Sequence, residues 1–165
     1  MRKLQLTIAR LLSEFPYLRS PIQVIDKALE IANPDRKEIF ADLGCGDGVV
    51  LLRSAEKFKV FSVGFEINPV LVRIARRRAR SAGLQDLIDI VHSDLFSVDL
   101  SRFNVIYVYP SPLVIERLSS KILAECVEGT RILVHDYPLK TFQPISVHQL
   151  PGGSLHTHTL YFYKV

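Results

Sequence analysis

Hydrophobic residues along this chain alternate between short continuous runs and longer stretches with a helical period. Apolar runs typical of buried parallel strands cover residues 39–43, 60–66, 88–92, 103–108 and 131–135. Between these runs, apolar residues three or four positions apart predict helices over residues 22–32, 49–57, 68–82 and 111–126. Strands that alternate with helices in this way are typical of a doubly wound, mostly parallel sheet.

Both ends of the chain depart from this alternation. An amphipathic N-terminal helix is predicted from the helical spacing of Leu4, Ile8, Leu11, Leu12 and Phe15. With its proline-containing connector it makes a segment 1–19, which precedes a domain over residues 20–165. Helical signals vanish after residue 135, and apolar runs at 142–150 and 155–164 flank a turn at 151–154. We therefore expect an α/β fold whose mostly parallel seven-stranded sheet ends in a C-terminal antiparallel hairpin.

A glycine loop follows the first apolar run, in the segment Asp42-Leu43-Gly44-Cys45-Gly46-Asp47-Gly48. Glycines let backbone approach a ligand closely, and open parallel sheets bind ligands beyond the carboxyl ends of their strands. The spacing differs from the G-x-G-x-x-G of dinucleotide sites. The glycines alone leave open a tight turn without a ligand. However, Glu66 ends the second run, where an acid can accept both hydroxyls of a ribose, so the pair predicts a nucleoside site.

The segment 42–48 resembles the first motif of seven-β-strand, S-adenosylmethionine-dependent methyltransferases. Gly64-Phe65-Glu66-Ile67-Asn68-Pro69 is similar to their ribose-binding motif, and Ser93-Asp94-Leu95-Phe96 to the motif whose acid holds the adenine amino group. The resemblance covers about residues 20–165, and it implies a Rossmann-like methyltransferase fold with S-adenosyl-L-methionine as cofactor. It also implies cofactor contacts for Tyr17, Pro21, Asp42, Gly44, Cys45, Gly46, Glu66, Ile67, Asp94, Leu95 and Tyr109.

The methyl acceptor is suggested by the segment after the fourth strand, which borders the methyl group in this class. Here no amide or acid precedes Pro110 to hold the exocyclic amine of a nucleobase. Segments 15–21, 129–136 and 153–163 are similar to small archaeal broad-specificity protein lysine methyltransferases. This resemblance implies protein substrates with exposed lysines.

Three residues are candidates for the catalytic side of the site. We expect Tyr109 and Pro110 to line the acceptor channel, with His135 as a further candidate. The competing interpretations are a core aromatic for Tyr109 and a satisfied strand-end histidine for His135. An RNA or small-molecule methyltransferase and a non-catalytic cofactor-binding module are the alternative functions.

Composition narrows the class of protein. The chain has 165 residues, 48% of them hydrophobic, which is enough for one globular domain with a sizeable core. Its net charge of +4 is compatible with a nucleic-acid partner, which is not favoured. A basic face is predicted on the third helix and interpreted as solvated; it comprises Arg73, Arg76, Arg77, Arg78 and Arg80.

Several further expectations concern the setting of the protein. Two cysteines form no disulfide framework, early charges argue against a signal peptide, and no apolar run is long enough for a membrane span. We therefore expect a cytoplasmic monomer with no membrane partner. The scarcity of Asn, Gln, Met and Cys fits a thermophile, and the resemblance suggests an archaeal source. A lone His156-x-His158 pair is more often structural than metal-binding, so no metal is predicted.

Overall fold

The computed structural model describes residues 18–152 and 156–165. The predicted N-terminal helix, the connector residues 15–17 and the hairpin tip 153–155 lie outside the described residues. Within the described part, one mixed sheet contains the strands β1 (Ile39–Leu43), β2 (Phe61–Glu66), β3 (Ile88–His92), β4 (Val105–Val108), β5 (Arg131–His135), β6 (Ser146–Pro151) and β7 (Thr157–Lys164). Its helices are α1 (Ile22–Ala32), α2 (Val49–Phe58), α3 (Pro69–Ser81) and α4 (Ile115–Glu125).

The sheet has the order β3-β2-β1-β4-β5-β7-β6. Strands β1 to β5 run parallel, whereas β7 is antiparallel to both β5 and β6. The chain thus winds outward from β1 in one direction and from β4 in the other. This confirms the predicted fold, and it places a topological switch point between the carboxyl ends of β1 and β4, where such sheets bind ligands.

The core has two layers because alternate strand residues face opposite sides of the sheet. Helices α1 to α3 cover one face, where Phe40 of β1 packs with Leu51 of α2. Helix α4 covers the other face, where Leu118 and Ile122 pack with Ile106 of β4. Both layers exclude water almost completely, so the ends of the parallel strands have a rigid base.

Two local features differ from what the sequence suggests. The Ser20-Pro21 pair is typical of a capped helix start, but no side chain caps α1, and the Ser20 hydroxyl instead lies 2.9 Å from the hydroxyl of Tyr107. Strand β6 begins at Ser146 rather than at Phe142. Phe142 packs edge-to-face on Tyr163, with ring centroids 6.3 Å apart, so its hydrophobic character serves the core instead of a strand.

The remaining boundaries agree with the predictions to within a few residues. Asn68 caps α3 by accepting a hydrogen bond from the N–H of Val70 at 2.9 Å, and Pro69 occupies the first helical position, as such a pair favours. No helix occurs between β5 and β6, where every residue is described. None of the described helices has the length and apolar character that crossing a membrane requires.

Candidate active site

A cavity of about 270 Å³ opens at the switch point of the sheet. Its walls come from the glycine loop after β1, the end of β2, the residues that follow β3 and β4, and residues 18–20 before α1. These segments are far apart in sequence and meet only because the carboxyl ends of β1, β2, β3 and β4 lie at one edge of the sheet. The cavity therefore occupies the position that the strand order predicts for a ligand.

The glycine loop folds back onto β2. The backbone N–H groups of Gly44 and Cys45 both donate to the carbonyl oxygen of Phe65, at 2.8 and 3.0 Å. A Cβ atom on Gly64 would lie 2.6 Å from the Sγ of Cys45, so only glycine permits this close packing. The loop glycines have left-handed backbone angles, which side chains disfavour: φ is 85° at Gly44, 53° at Gly46 and 80° at Gly48.

Glu66 joins the glycine loop to the start of α3. Its Oε2 accepts a hydrogen bond from the N–H of Gly46 at 2.9 Å, and its Oε1 accepts one from the N–H of Asn68 at 2.7 Å. Each carboxylate oxygen can accept a further hydrogen bond. Glu66 lines the cavity, so it can hold the loop and still accept hydroxyl groups from a ligand.

Asp42 is a buried carboxyl group that faces the cavity and has no hydrogen-bond donor among the described residues. Its relative exposure is only 3%, and none of the described residues donates a hydrogen bond to its carboxylate. Burial, together with the charges of Glu66 and Asp47, raises the pKa of Asp42 well above its usual range. A buried carboxylate without a partner is costly, and a cationic group in the cavity would offset that cost.

The other acids of the cavity are already engaged. Asp47 forms an ion pair with Arg78 of α3 and lies 3.6 Å from the Nε of Arg19. Asp94 accepts a hydrogen bond from the N–H of Phe96 at 2.9 Å, which fixes the turn after β3. The acids of the cavity contrast with the net charge of +4 of the whole chain, and their arrangement favours a ligand that carries positive groups.

Tyr109 forms an aromatic wall beyond the end of β4. Its hydroxyl donates to Oδ2 of Asp136 at 2.7 Å, and its ring stacks on the ring of His135 with centroids 3.8 Å apart. Burial and the hydrogen bond to Asp136 raise the pKa of Tyr109, so the phenol stays protonated. The ring is therefore held from two sides, and its position is fixed relative to the cavity.

His135 supports this wall from behind. It is fully buried, and its Nδ1 lies 3.2 Å from the hydroxyl of Ser20 and 3.1 Å from that of Tyr107. Burial lowers the pKa of His135 to about 4, so the ring is neutral at neutral pH. Burial also tends to raise the pKa of Asp136, but hydrogen bonds from the N–H of Thr159 and the hydroxyl of Tyr109 bring it below its ordinary value.

Most residues that the sequence predicted for the site line the cavity. They are Asp42, Gly44, Cys45, Gly46, Glu66, Ile67, Asp94, Leu95, Tyr109 and Pro110. Pro21 lies outside the lining at the start of α1, His135 lies behind Tyr109, and Tyr17 is outside the described residues. Asp136 was not identified as a site residue from the sequence. Its position directly after β5, a parallel strand that ends at the same edge of the sheet, could have indicated it.

The basic face of α3 is partly used by the fold itself. Arg76 donates from Nε and Nη2 to the carbonyl oxygen of Ile90, at 3.1 and 2.6 Å, and Arg78 pairs with Asp47. Two of the five predicted arginines thus hold α3 against β3 and the glycine loop. Only Arg73, Arg77 and Arg80 of the five have no such contact within the described residues. A surface for a polyanion would thus have three arginines instead of five, so the structure gives it less support.

Comparison with known proteins agrees with this geometry. Residues 42–146 match the model of the ANTKMT methyltransferase domain family. A protein-lysine N-methyltransferase of Saccharolobus islandicus (strain REY15A) is 33% identical over 151 residues, which are 91% of this chain and 93% of the relative. The adenine nucleotide translocase lysine N-methyltransferase of Mus musculus is 31% identical over 81% of this chain, which spans 58% of that longer protein.

A solved structure is similar over nearly the whole chain. It is described as an RNA methyltransferase from Salinibacter ruber in complex with S-adenosyl-L-homocysteine. The TM-score is 0.83 and the identity 33%, over 89% of this chain and 93% of the other. The names of these relatives agree on methyl transfer but differ in the acceptor.

The sheet order, the glycine loop and the acid at the end of β2 define a class I, S-adenosylmethionine-dependent methyltransferase, as the sequence predicted. The chain belongs to the ANTKMT methyltransferase domain family. The cofactor of this class carries a sulfonium and an ammonium group, which suit the acidic cavity around Asp42.

Replacing Asp42 with Asn should stabilise the ligand-free protein and weaken cofactor binding. The pKa of Asp42 is higher in the folded protein than in the unfolded chain, so ionising this group destabilises the fold. The free energy of unfolding therefore falls as the pH rises from the pKa of Asp42 in the unfolded chain to its pKa in the folded protein. At neutral pH we expect the variant to gain about 1 kcal/mol of unfolding free energy. It should lose about 1.5–3 kcal/mol of cofactor affinity, because the charged partner is removed. Denaturation and calorimetry measure the two changes.

The pH dependence of binding provides a second readout of the same group. A cationic ligand prefers ionised Asp42, so wild-type affinity should fall as pH decreases through its raised pKa. The groups facing Asp42 are Glu66, Asp47, Cys45 and Tyr107, and all stay in place in the variant. The exposed Asp86→Asn serves as the matched control. Equal affinity of Asp42→Asn and wild type at all pH values would exclude Asp42 from the binding site.

Replacing Glu66 with Ala should weaken cofactor binding by at least about 1.5–3 kcal/mol, since hydrogen bonds to the ligand and to Gly46 are lost together. The cofactor affinity of Glu66→Gln should lie between those of Glu66→Ala and wild type, because the amide keeps one acceptor oxygen. Isothermal calorimetry measures the affinity, with Glu56→Ala on the exposed side of α2 as control. Normal binding by Glu66→Ala would show that the ligand does not contact this carboxylate.

Proposed function

We propose that this protein transfers the methyl group of S-adenosylmethionine to lysine side chains of other proteins, with broad specificity. The observation that carries the proposal is the acceptor wall, which offers the ring of Tyr109 beside Pro110. The proton of the Tyr109 hydroxyl is engaged by Asp136, and the described cavity lining there has no carboxylate or side-chain amide beside Pro110 of the kind that would fix a nucleobase amine. Two relatives named as lysine N-methyltransferases, 33% and 31% identical, support the same acceptor.

The reaction requires alignment more than acid–base chemistry. The nitrogen lone pair of a neutral lysine forms a bond to the methyl carbon while the carbon–sulfur bond breaks, and S-adenosylhomocysteine leaves. A lysine with a reference pKa of 10.4 must first lose a proton, at a cost of about 4–5 kcal/mol at pH 7. The phenol of Tyr109 stays protonated and His135 is buried behind it, so we infer that the proton is lost to solvent.

The ring of Tyr109 suits a cationic amine in another way. An ammonium group over the face of a tyrosine ring is stabilised by about 0.5–2 kcal/mol. This attraction does not depend on which residues flank the lysine in the substrate protein. The fixed ring can therefore guide a lysine side chain toward the sulfonium without reading the surrounding sequence. Broad specificity follows from this kind of contact.

The alternative acceptor is RNA, as in the name of the Salinibacter ruber protein. The free arginines of α3 would be its contact surface. They lie on a helix whose other arginines are engaged with Ile90 and Asp47. We favour protein because the described part of the cavity has no basic residue beyond Arg19, which already faces Asp47.

We further propose that segment 1–19 closes over the cofactor, separate from the domain at residues 20–165. Arg19 and Ser20 support this, since both line the cavity and both contact residues of the sheet edge. In the same proposal the protein acts as a monomer in the cytoplasm of a thermophilic archaeon. The Saccharolobus islandicus relative is the support for that source.

Labelled cofactor offered to a protein mixture and to total RNA should label protein at lysine side chains, as peptide mapping would show. The rate should rise from pH 6 to pH 9 as more acceptor becomes neutral. Label found in RNA alone, or in protein but never on lysine, would overturn the proposed acceptor. Label in neither fraction, with the cofactor bound, would favour a non-catalytic binding module.

Replacing Tyr109 with Ala should lower turnover by about 100-fold, because the acceptor loses the wall that aligns it. Cofactor affinity should change little. Tyr109→Phe keeps the ring and loses only the hydrogen bond to Asp136, so it should retain most of the activity. Steady-state kinetics and calorimetry separate the two effects. A large loss of cofactor affinity in both variants would assign Tyr109 to the cofactor instead of the acceptor.

Deleting residues 1–19 should leave a folded domain that binds the cofactor at least about tenfold more weakly, since one wall of the cavity is lost. Circular dichroism tests folding and calorimetry tests binding. Ser20→Ala in the full chain is the point-variant companion, because it removes only the anchor to Tyr107 and His135. Unchanged affinity of the truncated protein would contradict the proposed lid.

A further inference from the structure

Three of the five histidines in the chain meet around one aspartate at the end of β5. His135 is the last residue of β5, and Asp136 follows it. His158 lies on β7, two residues from Leu160, the register partner of His135. His156 directly precedes β7 on the same face as His158. The sequence alone showed only the His156-x-His158 pair, whereas the sheet brings His135 and Asp136 to it.

The ligand atoms of His135, Asp136 and His158 all lie within 4.8 Å of one another, close enough to approach one small metal ion, and His156 approaches Asp136 from the solvent side. Nε2 of His135 is 2.9 Å from Nδ1 of His158 and 3.5 Å from Oδ1 of Asp136. Oδ2 of Asp136 is 3.6 Å from Nδ1 of His158 and 3.0 Å from Nε2 of His156. In a tetrahedral zinc site with bonds of about 2.0–2.2 Å, ligand atoms lie roughly 3.3–3.6 Å apart.

We propose that His135, Asp136 and His158 bind one Zn²⁺ ion per chain, with His156 as the fourth ligand at the solvent side. Imidazole nitrogens with one carboxylate suit zinc, whereas Mg²⁺ and Ca²⁺ prefer oxygen ligands throughout. The side chains of His135, Asp136 and His158 are nearly inaccessible, and His156 is half exposed, so an ion would enter past His156.

The groups around the cluster orient the ligands as outer contacts do in zinc proteins. The hydroxyls of Ser20 and Tyr107 lie within hydrogen-bond distance of Nδ1 of His135, which leaves its Nε2 facing the cluster. The N–H of Thr159 donates to Oδ1 of Asp136 at 2.9 Å, and Tyr109 donates to Oδ2. His135 and Asp136 are thus oriented by neighbouring groups, and the carboxylate is held at the position next to both histidines.

The backbone also adapts to this cluster. Asp136 has φ of 65°, a left-handed conformation that is uncommon for a side-chain-bearing residue and recurs at functional sites. Gly152 passes so close to the cluster that an added Cβ would lie 2.8 Å from Nε2 of His158. These positions bring the carboxylate and the His158 ring toward each other at the edge of the sheet.

An ion at this position would connect the sheet edge with the acceptor wall. It would join β5 to β7 directly behind Tyr109, whose ring stacks on His135 and whose hydroxyl binds Asp136. The competing explanation is a cluster held by protons alone, in which one nitrogen of the 2.9 Å His135–His158 contact donates to the other. The two explanations differ in whether the folded protein takes up metal.

The test uses the full chain, free of any affinity tag and stripped with EDTA. Titration with Zn²⁺ in a calorimeter should show one ion bound per chain, and thermal denaturation should shift upward with Zn²⁺ but not with Mg²⁺. Co²⁺ should give the visible absorption of a tetrahedral site without the near-ultraviolet thiolate band that binding at Cys126 or Cys45 would produce.

Variants locate the ion. His158→Ala and Asp136→Asn should each weaken Zn²⁺ binding by about 10- to 100-fold or more. His156→Ala, at an exposed position that cannot unfold the core, should weaken it less. The ring of His148 on β6 hydrogen-bonds to the hydroxyl of Ser146 and is not part of the cluster, so His148→Ala should bind Zn²⁺ as wild type does. No Zn²⁺ uptake by the wild-type chain, or normal uptake by His156→Ala and His158→Ala together, would overturn the proposal in favour of a proton-linked cluster.

Discussion

The carbonyl and the carboxylate at the end of β2 hold the site together. Phe65 accepts two backbone hydrogen bonds from the glycine loop, and Glu66 accepts one from Gly46 and one from Asn68. These four contacts fix the loop, the end of β2 and the start of α3 as one unit. Together with the ion pair between Arg78 and Asp47, they offset the conformational cost of the left-handed loop. The shape of the cavity, and therefore the position of any cofactor in it, depends on this unit.

The acidic residues next to this unit destabilise the protein electrostatically. Asp42 is buried without a donor among the described residues, in a wall that also contains Asp47, Glu66 and Asp94. Such an arrangement destabilises the ligand-free chain and favours a ligand with positive groups. On the acceptor side, the cavity is lined by the aromatic ring of Tyr109 instead of by acidic groups. One edge of a sheet thus offers an acidic pocket and an aromatic wall, which suit the two cationic reactants of methyl transfer.

Much of the fold could be predicted because its signals are local. Apolar runs, helical spacing and the Asn68-Pro69 cap each act over a few residues, and they indicated the strands and helices to within a few residues at each end. The cofactor side of the site could also be predicted, since glycines and acids at strand ends indicate the carboxyl edge of a parallel sheet. Contacts between segments far apart in the sequence could not be predicted. Nothing local indicates that Ser20 reaches Tyr107 and His135 instead of capping α1, or that Asp136 joins the histidines of β7.

The strand order has a consequence for how the protein forms during synthesis. β7 follows β6 in the chain but lies between β5 and β6 in the sheet, where it pairs with both. Until β7 has emerged from the ribosome, β5 presents an open edge and β6 has no partner strand. Open edges invite pairing with other chains, and long-range strand insertion is slow. The glycine loop and strands β1 to β4 can assemble earlier, so the nascent chain completes its cofactor half well before the half that supports Tyr109.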